Sequence, residues 1–120
     1  AAALATIQYM KDINLNARAI EVGKIVMSRF EKMKERFKEV GDVRGLGAMN
    51  ALEFVKSGDP NLPNAELCNA VVRGCAENGL IIISAGTYKN IIRILSPLVI
   101  TDELLNKGLD IIENQIQEKI

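Results

Sequence analysis

One arginine stands out in the second half of the chain because it interrupts an apolar segment. Arg93 lies within Ile91–Leu95, whose other four members are isoleucines and a leucine. A guanidinium stays charged, so in such a segment it requires a carboxylate, a phosphate or a water-filled cleft. Two interpretations are open. Arg93 is either a structural residue, in an ion pair or reaching solvent at a strand edge, or a bidentate anchor for a substrate carboxylate.

The other residues that could do chemistry give weaker signals. Tyr88 and Lys89 lie just before this segment, where nothing in the sequence supplies the desolvation or neighbouring cation that a Schiff-base lysine needs. The segment 45–47 (Gly-Leu-Gly) lacks the third glycine of a dinucleotide-binding motif. Asp42 and Glu53 are too far apart in the pattern to be claimed as a carboxylate pair. The residues alone therefore do not demonstrate catalysis, and we expect no catalytic group in this chain.

The composition excludes several classes of function. The 120 residues suit one domain, and 15 basic side chains balance 15 acidic ones, so nucleic acid or an anionic membrane would meet no net attraction. Histidine is absent, which excludes a His-dependent catalyst, and we expect no metal site. Cys68 and Cys75 would lie about 10 Å apart along a helix, beyond disulfide reach, so we expect buried thiols. Without a membrane span or signal peptide, we expect a cytoplasmic protein.

The first half of the chain predicts a long amphipathic helix followed by β-structure. Asn14 is its expected N-cap and Gly41 its left-handed C-terminal stop. Apolar residues between them follow helical spacing. They are Leu15, Ala19, Val22, Val26, Phe30, Met33 and Phe37. Val43–Val55 fits a strand with a glycine bulge or a tight bend, and Lys56–Pro63 consists of turn-forming residues.

The second half predicts a helix at 64–78, two short apolar strands at Leu80–Ser84 and Ile91–Leu95, and a final helix at 101–118. The six-residue connection between the strands favours antiparallel neighbours. The order α, α, β, β, α, β, β, α predicts an α+β fold. We expect about four mainly antiparallel strands, covered on one side by the last two helices, with the long helix packed alongside.

Two segments carry a resemblance to a known family. They are Val43–Met49 and Asn78–Leu98, the second of which contains Asn90, Arg93 and Pro97. In order and spacing they resemble the C-terminal part of class III pyridoxal-phosphate aminotransferases, and within that family the 4-aminobutyrate aminotransferases. The resemblance covers nearly the whole chain. In the family, the arginine of an Asn-x-x-Arg-x-x-x-Pro motif binds a substrate carboxylate, so the resemblance implies this role for Arg93.

The resemblance also implies a domain organisation. Residues 13–120 would form the small domain of a fold type I pyridoxal-phosphate enzyme, and residues 1–12 would be the remnant of a preceding helix. The family's cofactor lysine, the acidic partner of the pyridine nitrogen and the phosphate-binding loop belong to its large domain, and nothing in this chain matches them. We therefore expect an inactive fragment of a homodimeric parent enzyme. Its partners would be that large domain, an amino acid and a 2-oxo acid.

Two hypotheses of different class follow for the function. The first is an aminotransferase that transfers an amino group from an omega-amino acid to a 2-oxo acid, with this domain supplying the carboxylate-binding arginine. The second is a non-catalytic α+β module that binds a ligand or another protein, because sheets covered by helices host many such functions. Composition does not separate the two.

We predict that the isolated chain does not bind pyridoxal 5'-phosphate as an internal aldimine, because no lysine matches the family's cofactor lysine. After incubation with the cofactor and borohydride reduction, peptide mapping should find no lysine modified in preference to the others. The denatured chain gives the background labelling. Stoichiometric modification of one lysine in the folded chain, above that background, would contradict the prediction.

Overall fold

A computed structural model describes all 120 residues, and it contains four helices and five strands. None of the helices has the length and apolar character needed to cross a membrane. The elements in chain order are α1 (Ala2–Asp12), α2 (Leu15–Arg36), β1 (Val40–Leu46), β2 (Met49–Lys56), β3 (Asp59–Pro63), α3 (Ala65–Glu77), β4 (Ile83–Ala85), β5 (Ile91–Ile94) and α4 (Asp102–Lys119).

The sheet is antiparallel throughout, with the strand order β1-β2-β5-β4 and with β3 paired to the end of β2. The predicted α+β fold is therefore confirmed. The two apolar strands are neighbours as expected, and Ile83 pairs with Arg93 in their register. The tight bend predicted within 43–55 is the turn between β1 and β2, where Gly47 has φ 55°.

Two predicted strand assignments need correction. Residues 59–63 form β3, although their prolines, asparagine and aspartate suggested a continuous turn. The actual turn is confined to Ser57 and Gly58, whose φ values of 54° and 75° suit a two-residue hairpin connection. Strand β4 comprises only Ile83–Ala85, so Leu80–Ile82 precede the ladder. The sheet thus has five short strands where about four were predicted.

Helix α2 lies against β1 and β2 through the predicted apolar stripe. Val22, Val26, Phe30 and Met33 are fully buried. The predicted start of the helix is confirmed, and its predicted end was wrong. Asn14 is the residue before the first helical turn, in the left-handed conformation with φ 51°, although its side chain makes no capping hydrogen bond. The helix ends at Arg36 because the next residue is extended, and the glycine predicted to stop it lies within β1.

Local contacts determine where α3 and α4 begin and where α3 ends. The Asn64 side chain accepts a hydrogen bond from the backbone of Leu67 at 3.1 Å, and the Thr101 hydroxyl caps α4 in the same way. Gly79, with φ 84°, provides the left-handed residue after α3. Helix α3 packs on β2, β4 and β5, whereas α4 packs against α2 and α3. The helices therefore cover one side of the sheet only.

Helix α1 differs from the rest because none of its residues is buried and it contacts only α2. Its exposed side chains include Leu4, Ile7 and Tyr9. The proposed boundary between residues 1–12 and the domain at 13–120 stays a prediction.

We predict that Gly23→Ala destabilises the fold by about 1–3 kcal/mol, because a Cβ at this position in α2 would overlap with the backbone carbonyl of Gly47. Gly108→Ala in α4 is the matched control. Its Cβ would lie 3.5 Å from Leu80, an ordinary contact, so the helix propensity of alanine should leave stability unchanged or raise it by up to about 1 kcal/mol. Urea unfolding of both variants measures the difference. Equal effects of the two substitutions would contradict the predicted approach of α2 to the β1–β2 turn.

Candidate functional site

The side of the sheet opposite the helices is uncovered, and we call it the open face. Strand alternation separates the two sides: Leu52, Phe54 and Ile92 point into the core and are fully buried. The open face consists of the alternate residues Asp42, Arg44, Leu46, Met49, Ala51, Glu53, Ile83, Ala85, Ile91, Arg93 and Leu95. Several of its apolar side chains are more than half exposed. This face is therefore a mixed surface of apolar and charged groups that includes two arginines, Arg44 and Arg93.

Arg93 lies near the middle of the open face. Strand β5 is an inner strand, and Arg93 is flanked by Ala51 on β2 and Ile83 on β4. Its side chain is exposed, and it forms no hydrogen bond or ion pair within this chain. The contacts within this chain supply no ion pair for Arg93, and its guanidinium is exposed on an inner strand. Both interpretations of this arginine stay predictions.

A cluster of charges lies one strand away from Arg93. Arg44 Nη1 is 2.7 Å from Asp42 Oδ2 and 2.9 Å from Glu53 Oε2, and Lys34 Nζ is 3.6 Å from Asp42 Oδ1. Hydrogen bonds to Glu53 and then to Asp42 raise the pKa of the Arg44 guanidinium above its ordinary value. The sequence-based interpretation that the two carboxylates are too distant to pair was wrong, because they face each other directly across β1 and β2. Placing the turn at Gly47 would have revealed this register.

Asn90 fixes the start of the strand that carries Arg93. The asparagine is 1% exposed, and its Nδ2 donates hydrogen bonds to the carbonyl oxygen of Phe54 at 2.9 Å and to Glu53 Oε1 at 3.4 Å. Its own carbonyl accepts a hydrogen bond from the Phe54 backbone at 2.7 Å. Asn90 therefore ties β5 to β2 through both backbone and side chain.

A cavity of about 440 Å³ lies at the other end of β5, between Leu80–Ile83 and α4. Arg93 is the one charged residue that lines it, and most of the remaining lining is apolar. The Ser96 hydroxyl also belongs to its lining and is buried without a hydrogen-bond partner. Arg18 holds the following loop by donating a hydrogen bond to the Leu98 carbonyl, and it also binds Asp102 at 2.7 Å.

The remaining candidates lie away from any enclosed site. Tyr88 is 67% exposed and Lys89 is also on the surface. Cys68 and Cys75 are free and buried in α3, as predicted. Burial raises the pKa of each thiol to about 11, so neither is a ready nucleophile.

Comparison with known proteins identifies related chains. The model of the family described as Aminotransferase class-III matches residues 1–116. A probable 4-aminobutyrate aminotransferase of Bacillus subtilis is 44% identical over 94% of this chain and 26% of its own length. A 5-aminovalerate aminotransferase of Pseudomonas aeruginosa is 41% identical, and an alanine/serine racemase of Pyrococcus horikoshii is 42% identical. The chain spans about a quarter of the length of these relatives.

Solved structures show the same fold. A Bacillus anthracis aminotransferase superimposes with a TM-score of 0.88 at 26% identity, covering 97% of this chain and 27% of its own. A phospholyase from Arthrobacter, in complex with phosphoethanolamine, gives a TM-score of 0.89 at 28% identity, covering 97% of this chain and 28% of its own.

We predict that Asn90→Ala destabilises the fold by about 1–3 kcal/mol, because the buried amide anchors β5 to β2. Arg93→Ala should leave the free energy of unfolding within about 0.5 kcal/mol, because its side chain has no partner in this chain. Chemical denaturation of both variants tests the difference. A large destabilisation by Arg93→Ala would show that the arginine is structural after all.

Proposed function

The chain belongs to the class III aminotransferase family, and from this we propose that it is the carboxylate-binding part of a larger aminotransferase. In this proposal, the parent enzyme transfers an amino group from an omega-amino acid to a 2-oxo acid. Arg93 binds the carboxylate of the substrate and orients it. The observation that carries the proposal is the exposed guanidinium of Arg93 on an inner strand.

The chemistry of the substrates suits a site of this kind. Two of the relatives are described as aminotransferases of 4-aminobutyrate and 5-aminovalerate, molecules that have an amine at one end and a carboxylate at the other. Arginine offers a planar pair of N–H donors that matches the two oxygens of a carboxylate. Ile83, the apolar cross-strand neighbour of Arg93, lies beside this contact. Holding the acid group in this way positions the distant amine for reaction.

The family uses pyridoxal phosphate, but the residues of this chain do not suit the cofactor's aldehyde group. All nine lysines are exposed on the surface, whereas a Schiff-base lysine is held in a desolvated site or beside another cation. We infer that a large domain elsewhere in the parent polypeptide holds the cofactor. The chain corresponds to about a quarter of its relatives, which leaves room for such a domain. The isolated chain should then be inactive, and the parent is proposed to be a cytoplasmic homodimer.

The non-catalytic module stays the alternative, and no specific contact in the structure favours it. Activity of the full-length protein separates the two hypotheses. An absence of amino transfer from any omega-amino acid, in a folded protein loaded with pyridoxal phosphate, would favour the module.

We predict that Arg93→Lys and Arg93→Ala in the full-length enzyme lower kcat/KM for carboxylate-bearing substrates about ten- to a hundredfold. The reason is that a charge-assisted bidentate contact is worth about 1.5–3 kcal/mol. Lysine keeps the charge but loses the paired donors, so it should also impair the enzyme. The value of kcat/KM for an amine substrate without a carboxylate should fall much less.

Arg73→Ala is the matched control, because Arg73 is an exposed arginine on α3, away from the open face. This variant should leave kcat/KM unchanged for both substrates. Equal losses for the two substrates in the Arg93 variants, together with a lowered Tm, would mean that Arg93 stabilises the fold instead of binding substrate.

A further inference from the structure

Arg93 lies close to one end of the sheet. Strand β5 ends at Ile94, and β4 begins at Ile83, the residue that pairs with Arg93. On the other side of β5, the ladder with β2 ends at the pair of Ile94 and Asn50. The last pairs of a ladder open most readily, because fewer neighbouring hydrogen bonds hold them. The position of Arg93 therefore depends on what holds the chain just after β5.

The chain just after β5 has little backbone structure of its own. Residues 95–101 lead from β5 to α4, and we call them the exit loop. One backbone hydrogen bond joins two residues of this loop, from the amide of Ile100 to the carbonyl of Pro97 at 3.1 Å. Pro97 has no amide hydrogen with which to form another. Contacts with other elements must therefore hold the exit loop in place.

Arg18, near the start of α2, supplies these contacts. Its Nε donates a hydrogen bond to the Leu98 carbonyl oxygen at 3.3 Å, and its Nη2 donates one to the Ile100 carbonyl oxygen. Its Nη1 lies 2.7 Å from Asp102 Oδ1, in the first turn of α4. The side chain is 23% exposed, which limits competition from water. One guanidinium thus joins α2, the exit loop and the start of α4.

Arg29 provides a comparison within the same pair of helices. It also lies on α2 and binds acids of α4, with its Nη2 2.7 Å from Asp110 and 2.9 Å from Glu113. Its side chain is 21% exposed, close to the value for Arg18. The hydrogen bonds of Arg29 all go to side chains of α4, and none goes to the exit loop. The two arginines therefore differ in the loop carbonyls that Arg18 alone binds.

We propose that Arg18 is a positioning residue, which holds the exit loop and thereby keeps the end of β5 closed and Arg93 in its place on the open face. The effect on substrate rests on the proposed function of Arg93, whereas the hold on the loop does not. Asn90 anchors the opposite end of β5 to β2, so the strand is held at both ends. A guanidinium suits this role because its N–H donors lie in one plane and can serve two carbonyls and a carboxylate together.

Hydrogen exchange in the full-length enzyme measures the hold directly. Arg18→Ala should make the backbone amides of β5 exchange about three- to tenfold faster, because the end of the ladder opens more often. Arg29→Ala removes comparable ion pairs between α2 and α4 and should leave the exchange of β5 unchanged. Unchanged exchange of β5 in Arg18→Ala, or an equal increase in both variants, would overturn the proposal.

Kinetics of the same variants test the consequence for the substrate. Arg18→Ala should raise KM for a carboxylate-bearing omega-amino acid about threefold to tenfold with little change in kcat, because the arginine that binds the carboxylate is held less firmly. The KM of an amine without a carboxylate should stay unchanged. A merely structural role would reduce the fraction of folded enzyme, and so would lower kcat for both substrates alike. That second pattern would contradict the proposal.

Two further variants identify which contacts of Arg18 matter. Asp102→Asn removes the ion pair but leaves the loop carbonyls bound, so the exchange of β5 and KM should stay near those of the unmodified enzyme. Arg18→Lys keeps the charge but loses the planar donors, so it should resemble Arg18→Ala. The reverse order of effects would show that the ion pair alone matters, which would overturn the proposal. Arg93→Ala separates the two claims: an unchanged KM would refute the proposed function, while the exchange of β5 in Arg18→Ala still decides the hold on the loop.

Discussion

The position of β2 between β1 and β5 is the constraint on which the open face depends. Because both pairings are antiparallel and in register, Arg44, Ala51 and Arg93 lie in one row across three strands. A slip of one residue in either pairing would turn the arginine concerned toward the helices. It would then meet Leu52 and Ile92, where a guanidinium loses its water and finds no carboxylate. The helical layer therefore enforces the register as much as the strands do.

A separate contact fixes the register of each strand pairing, β1 with β2 and β2 with β5. The turn at Gly47 sets β2 against β1, and the close approach of Gly23 on α2 leaves little freedom at that corner. The buried side chain of Asn90 sets β5 against β2 from the opposite end. Neither contact involves the side chain of Arg93. Together they determine that Glu53 faces Arg44 and that Arg93 faces outward.

The sequence predicted those features that depend on local spacing, and missed those that depend on contacts between strands. The stripe of α2 and the strand containing Arg93 were predictable because periodicity is a local property. The pairing of Asp42 with Glu53 was not, since a one-residue shift of the turn would separate them. Residues 59–63 were misassigned because their composition is typical of turns, whereas pairing with β2 makes them a strand. The position of Arg93 on the open face was equally hidden, because it depends on which strands lie beside β5.

A structure of the full-length enzyme with an unreactive carboxylate-bearing substrate analogue tests the central claim most directly. The measured quantity is the distance between the carboxylate oxygens and the guanidinium nitrogens of Arg93. Two parallel contacts of about 2.7–2.9 Å are expected, with Glu53 still beside Arg44. An analogue whose carboxylate binds elsewhere, while Arg93 stays in solvent or pairs with another carboxylate of the protein, would contradict the account.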